Sequence, residues 1–176
     1  MGNLLNPVRL ISCVRPTAEG IEQKQELRAV IIDKWKSIAS TDFAQALQKS
    51  LAKRYLHVSI SDSLDANLHE SSLPLIVLCV HQSRMHADVR YTLSEIKEEV
   101  YNRILLVILH YKIDDKNLCA VEVKRKSEFT QASVLDCFLQ KDRGNFKDVT
   151  EKIKSYIENR EIQATKEELM TERNMN

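Results

Sequence analysis

Two histidines close two aliphatic runs: LIVLCVH ends at His81 and RILLVILH ends at His110. If those runs are neighbouring strands of one sheet, both imidazoles meet at a single rim. With Asp88 or Asp114 beside them, they have the residue types either to bind zinc or to exchange protons as acid and base. The same rim collects further polar side chains. Ser12 and Arg15 follow the first expected strand, and Ser61 and Asp62 follow the second. Ser83, Arg84 and His86 follow the third, and Lys112 follows the fourth. Buried strands turn polar wherever they leave the core, so a solvated rim produces the same enrichment. No catalytic residue, metal ligand or cofactor is assigned from it, and His81, His110 and Glu95 stand only as candidates. A cysteine–histidine protease centre lacks its nucleophile: the strand that should deliver one ends Ile108-Leu109-His110-Tyr111, and Cys79 lies inside its own strand.

These residues depend on the elements that carry them. Five short aliphatic segments read as strands buried on both faces: Val8–Val14, Tyr55–Ser61, Leu75–His81, Arg103–His110 and Val134–Gln140. Helical spacing appears between them. Asp42–Arg54 places Phe43, Ala46, Leu47 and Leu51 on one face behind a Thr41/Asp42 cap. Asp88–Tyr101 does the same with Val89, Leu93, Ile96 and Val100, and Asn145–Arg160 with Phe146, Val149, Ile153 and Ile157 behind Gly144 and an Asn145 cap. Ile21–Ile38 reads as an additional helix whose apolar residues, Leu27, Ile31, Trp35 and Ile38, form a candidate interaction surface. Leu118–Lys124 fits either an edge strand or a helix, and Glu161–Asn176 reads as a frayed or disordered tail. Alternating strands and helices predict an α/β three-layer sandwich, with a five-stranded, mainly parallel, flavodoxin-like sheet of order 2-1-3-4-5 in one domain over residues 1–160.

Composition excludes several classes. The 176 residues carry a net charge of +1, so no global field draws the chain to nucleic acid or an anionic membrane. The compact basic run Lys124-Arg125-Lys126 has no aromatic platform beside it and reads as a solvated loop or edge. The three glycines, Gly2, Gly20 and Gly144, are scattered, which removes the glycine-rich phosphate loops. The longest apolar runs, Leu75–Val80 and Ile104–Leu109, are far too short to span a bilayer. Four cysteines without a CxxC pair, and no secretory signal, predict a cytoplasmic protein with reduced thiols. Gly2 meets the first requirement for N-myristoylation, although Asn6 stands where Ser or Thr is expected. A single acyl chain would give only marginal membrane contact.

From Phe43 to Ile157 the order of features resembles a Toll/interleukin-receptor (TIR) domain, itself flavodoxin-like. The helix FAQALQKSLAKR leads into the strand YLHVSIS, and HESSLPLIVLCV resembles the family's passage from a serine into an aliphatic strand. HQSRMHADVRYTL is placed like the loop and helix that bear a Trp-Cys-x-x-Glu-Leu motif. RILLVILHYKIDD resembles the fourth strand and its turn, and VLDCFLQ with NFKDVTEKIKSYI the last strand and helix. The family's aromatic-Asp-Ala-Phe strand and Arg-Asp-x-x-Pro-Gly loop are absent, and Asn145-Phe146 echoes only part of its Phe-Trp box. Where NAD-cleaving members carry a catalytic glutamate this chain has Thr92, with Glu95 one helical turn away as the available substitute.

The resemblance implies a non-enzymatic protein-interaction module in innate immune, antiviral or stress signalling, working through a protein partner or self-association. The rival expectation is a nucleotide or NAD glycohydrolase, or another hydrolase using the strand-end polar residues. A third is a small-molecule sensor that binds at the strand ends without chemistry.

Overall fold

The computed structural model describes residues 27–54, 56–82, 84–111, 129, 131–139 and 143–174. They form five parallel strands, β1 (Leu27–Ile32), β2 (Leu56–Ser61), β3 (Leu75–His81), β4 (Ile104–His110) and β5 (Ser133–Phe138), in the order β2-β1-β3-β4-β5. The helices are α1 (Ile38–Ala52), α2 (Ala66–Glu70), α3 (Met85–Leu93) and α4 (Arg143–Asn174), with a 3₁₀ helix at Glu98–Arg103. The expected α/β architecture and strand order are therefore present.

The side-chain period of two within the strands builds a core on each face of the sheet. Val30, Ile32, Leu75, Val77, Cys79, Ile104, Leu106 and Ile108 pack with Met85, Val89 and Leu93 of α3 and Val100 and Tyr101 of the 3₁₀ helix. On the other face Ile31, Ile76, Leu78, Val80, Val107 and Leu109 meet Phe43, Leu47 and Leu51 of α1 and Val149, Ile153 and Ile157 of α4. Central β3 and β4 are aliphatic without alternation because both faces are covered.

The first strand is a correction. Val8–Val14 lies outside the described residues, as does Leu118–Lys124, and β1 comes from the stretch expected as an extra helix. Leu27, Val30 and Ile31 satisfy helical spacing, but the unbroken Ala29–Ile32 run also suits a strand flanked on both sides. Pairing in register with β2 and β3 decides between the two. Ile31 is consequently buried in the core, while Ile38 opens α1 and is 85% exposed. The helical surface proposed for Leu27, Ile31, Trp35 and Ile38 does not exist.

Helix ends also differ from expectation. Ser37, not Thr41 or Asp42, caps α1 through a reciprocal box with Ser40. The Asp88–Tyr101 segment starts earlier, at Met85, stops at Leu93 and resumes as the 3₁₀ helix. Helix α4 begins at Arg143, so Asn145 is no cap, and its side-chain amide donates instead to the Phe138 carbonyl at 2.7 Å. The same helix runs through the segment expected to fray, as far as Asn174. Among the described residues no helix is long and apolar enough to cross a membrane.

Candidate functional site

The register pairs His81 directly with His110 at the carboxyl ends of β3 and β4. Their rings meet edge to face, with the two Nδ1 atoms 3.2 Å apart. His110 is 1% exposed, stacks on Phe138, and places Nε2 2.8 Å from Oδ1 of Asp136. A carboxylate only accepts, so in neutral His110 the proton sits on Nε2 and leaves Nδ1 bare. His81 Nδ1–H then donates to that bare nitrogen, which makes Nε2 the basic end of His81. Asp136, His110 and His81 therefore form a hydrogen-bonded line in which the carboxylate orients one imidazole and that imidazole meets the second.

Asp136 was missed as a site residue because it lies inside the apolar string VLDCFL rather than at a strand end. The available signal is the aspartate itself: a carboxylate set within an apolar strand must find a hydrogen-bond donor. Beside it, burial first and the Asp136 charge second push the Cys137 thiol up to about 12. Such a thiol stays neutral and is inert as a nucleophile.

A second polar group forms where β1 and β2 end. Asp33 leaves β1, is 4% exposed, and donates its own backbone N–H to the Ser61 carbonyl at 2.8 Å. Its Oδ1 accepts from the Lys36 backbone at 3.1 Å and its Oδ2 from the Thr41 hydroxyl at 3.3 Å. Lys36 takes a left-handed backbone, φ 46°, a conformation of appreciable cost for a side chain other than glycine. The Lys36 ammonium pairs with Asp62, and this partner, with the Ser63 hydroxyl, holds the Asp62 carboxyl below the usual carboxylate range. Ser61 Oγ donates to the Ser63 carbonyl at 2.8 Å. Asp33, Lys36, Thr41, Ser61 and Asp62, with Gln45 and an apolar wall of Ala44 and Ile60, line an open cavity of about 510 Å³. The helical spacing of its segment hides Asp33 in the sequence, where the available signal is the polar break after AVII.

The remaining candidates are dispersed. Trp35 Nε1 donates to Thr92 Oγ1 at 2.8 Å and its ring meets Tyr91 edge-on, 4.9 Å between centroids. Thr92, 2% exposed, donates its own hydroxyl hydrogen bond to the Asp88 backbone carbonyl at 2.8 Å. Glu95 is bound to the Lys34 ammonium at 2.8 Å, and that ammonium also sits over the Tyr91 ring. Arg84 precedes α3 and lines a cavity of about 700 Å³ with Met85, His86, Ala87 and Arg90, a set that contains neither rim histidine. Asp88, weighed as a partner of the histidines, accepts from the Gln82 backbone at 3.0 Å. Gly2, Ser12, Arg15, Ser83, Lys112 and Asp114 lie outside the described residues. Among the described residues, no cluster of three or more His, Cys, Asp or Glu side chains could hold a metal ion. No protein-family model and no curated protein matches this chain.

Proposed function

We propose that this chain is a non-enzymatic protein-interaction module of flavodoxin/TIR-like design, acting in cytoplasmic innate immune, antiviral or stress signalling by self-association or through a protein partner. The observation that carries the reading is the engagement of the side chains an NAD-cleaving relative would need. Thr92, at the position aligned with the catalytic glutamate, is buried and holds Trp35. Glu95, the available substitute, lies just past the end of α3 and is paired with Lys34, whose ammonium sits over the Tyr91 ring. The test is purified full chain incubated with NAD, with nicotinamide release and sedimentation followed together. NAD stays intact while mass rises with protein concentration or on adding a partner. Nicotinamide release that vanishes in Glu95→Ala overturns the reading.

A second reading has its own observation, the Asp136–His110–His81 line, which suits a hydrolase with His81 as general base. Under that reading an ester-hydrolysis screen finds turnover. His81→Gln abolishes it, and Asp136→Asn lowers it and shifts its pH profile. Turnover indifferent to both substitutions removes the line from the chemistry.

A further inference from the structure

The buried carboxylate of Asp33 is incompletely satisfied, and it faces an open volume. A carboxylate offers about four acceptor positions. Asp33 has two of them filled, one by a bond of 3.3 Å, although the residue is 4% exposed. The nearby ammonium groups are engaged elsewhere, Lys36 with Asp62 and Lys34 with Glu95. The acceptor position left on each Asp33 oxygen calls for a donor brought in from the cavity.

Charge selects among donors. An anion entering this space meets the carboxylates of Asp33 and Asp62. A cation is attracted by the unpaired Asp33 charge but must sit beside the Lys36 ammonium, which already holds Asp62. A neutral hydroxyl donor bonds Asp33 without displacing that pair or crowding a like charge. Two adjacent hydroxyls can each donate to one Asp33 oxygen and still accept, and the Gln45 amide and Lys36 ammonium are the donors lining the space. Ala44 and Ile60 supply a wall for the apolar face of a small ring. The volume of about 510 Å³ falls within the range of small-molecule sites, and the cavity opens at the carboxyl ends of β1 and β2, on the same rim as the β1/β3 switch point but not at it.

We infer that the cavity between the carboxyl ends of β1 and β2 binds a small neutral molecule of the sugar class through vicinal hydroxyls, with Asp33 accepting from both. This site is independent of the interaction reading and of the histidine line.

The probe is cis-1,2-cyclopentanediol, with cyclopentanol as the control lacking one hydroxyl, titrated into the full chain at millimolar concentrations by ligand-observed NMR. The diol binds, and cyclopentanol binds weaker by about tenfold or more, the loss expected for one hydrogen bond to a charged group. Asp33→Asn removes the preference for the diol. Gln45→Ala, which alters an exposed side chain, weakens the diol severalfold and leaves the melting temperature unchanged. Equal binding of diol and alcohol, absence of diol binding, or a diol preference surviving in a folded Asp33→Asn protein would each overturn the assignment.

Discussion

Each edge of this sheet buries a charged side chain, and the two are treated in opposite ways. At the amino edge Arg103 enters β4 at 7% exposure. Its Nη1 donates to Ser71 Oγ at 3.2 Å and the Leu73 carbonyl at 2.9 Å, and its Nη2 to the carbonyls of Leu68 and of His69, the latter at 3.0 Å. These acceptors lie on or just after α2, so one guanidinium satisfies the carbonyls of a helix too short to close its own end. At the carboxyl edge Asp33 has two acceptor bonds and a cavity in front of it. A buried charge whose Nη donors are all taken by three backbone carbonyls and one hydroxyl is architecture. One held partly open beside a cavity is a place for a ligand.

The largest effect belongs to the amino edge. Arg103→Ala strands several buried acceptors and leaves a void, and should lower unfolding stability by about 3 kcal/mol in urea titration. Arg103→Lys should recover only part of this, since an ammonium cannot reproduce the fork of donors. A loss below about 1 kcal/mol would mean α2 is held by apolar contacts instead.

Trp35 comes next. It fastens the loop after β1 to α3 through Thr92 and Tyr91, so Trp35→Ala should cost about 2 kcal/mol, less than a fully buried tryptophan, with the sedimentation mass unchanged. An altered mass with unaltered melting would return Trp35 to the surface role first expected of it.

That expectation shows where legibility ended. The sequence marks β3 to its boundaries and β4 to within one residue, because an unbroken aliphatic run of strand length admits few other uses. His81 and His110 followed as strand-end neighbours. β1 was lost because Leu27, Val30, Ile31, Trp35 and Ile38 fit a helical stripe as well as AVII fits a strand. Only pairing with β2 and β3, a non-local fact, separates the two. With β1 went Asp33, whose burial depends on that pairing. Asp136 was legible as a polar intruder in β5, but its partner could be known only once β4 and β5 were side by side.

Alkaline titration gives a smaller effect. Burial pushes the Tyr156 phenol up to about 12 from its ordinary 10.0, and the Cys137 thiol up to about 12 from 9.0. Both folded-state values are raised, so the fold favours the neutral forms. Their contribution is complete below pH 9 and fades as pH climbs toward 12. The Tyr156 hydroxyl has no hydrogen-bond partner, so Tyr156→Phe should be near neutral at pH 7 and should flatten the loss of stability between pH 10 and 12. An unchanged alkaline slope would assign that loss elsewhere. The smallest effect is at Glu95. Its ion pair with Lys34 is solvent-facing, so Glu95→Ala should change stability by less than about 1 kcal/mol.

The contrast between the two edges is tested most directly by the urea midpoint of Asp33→Asn measured beside the wild type. Asparagine keeps an acceptor for the Lys36 N–H and offers its NH₂ to the Thr41 oxygen, and it removes a buried charge that has no ion partner. If Asp33 is held for a ligand and not for the fold, stability is unchanged or rises. A fall of about 3 kcal/mol, matching the loss expected for Arg103→Ala, would make Asp33 a structural charge like the one at the other edge and contradict the account.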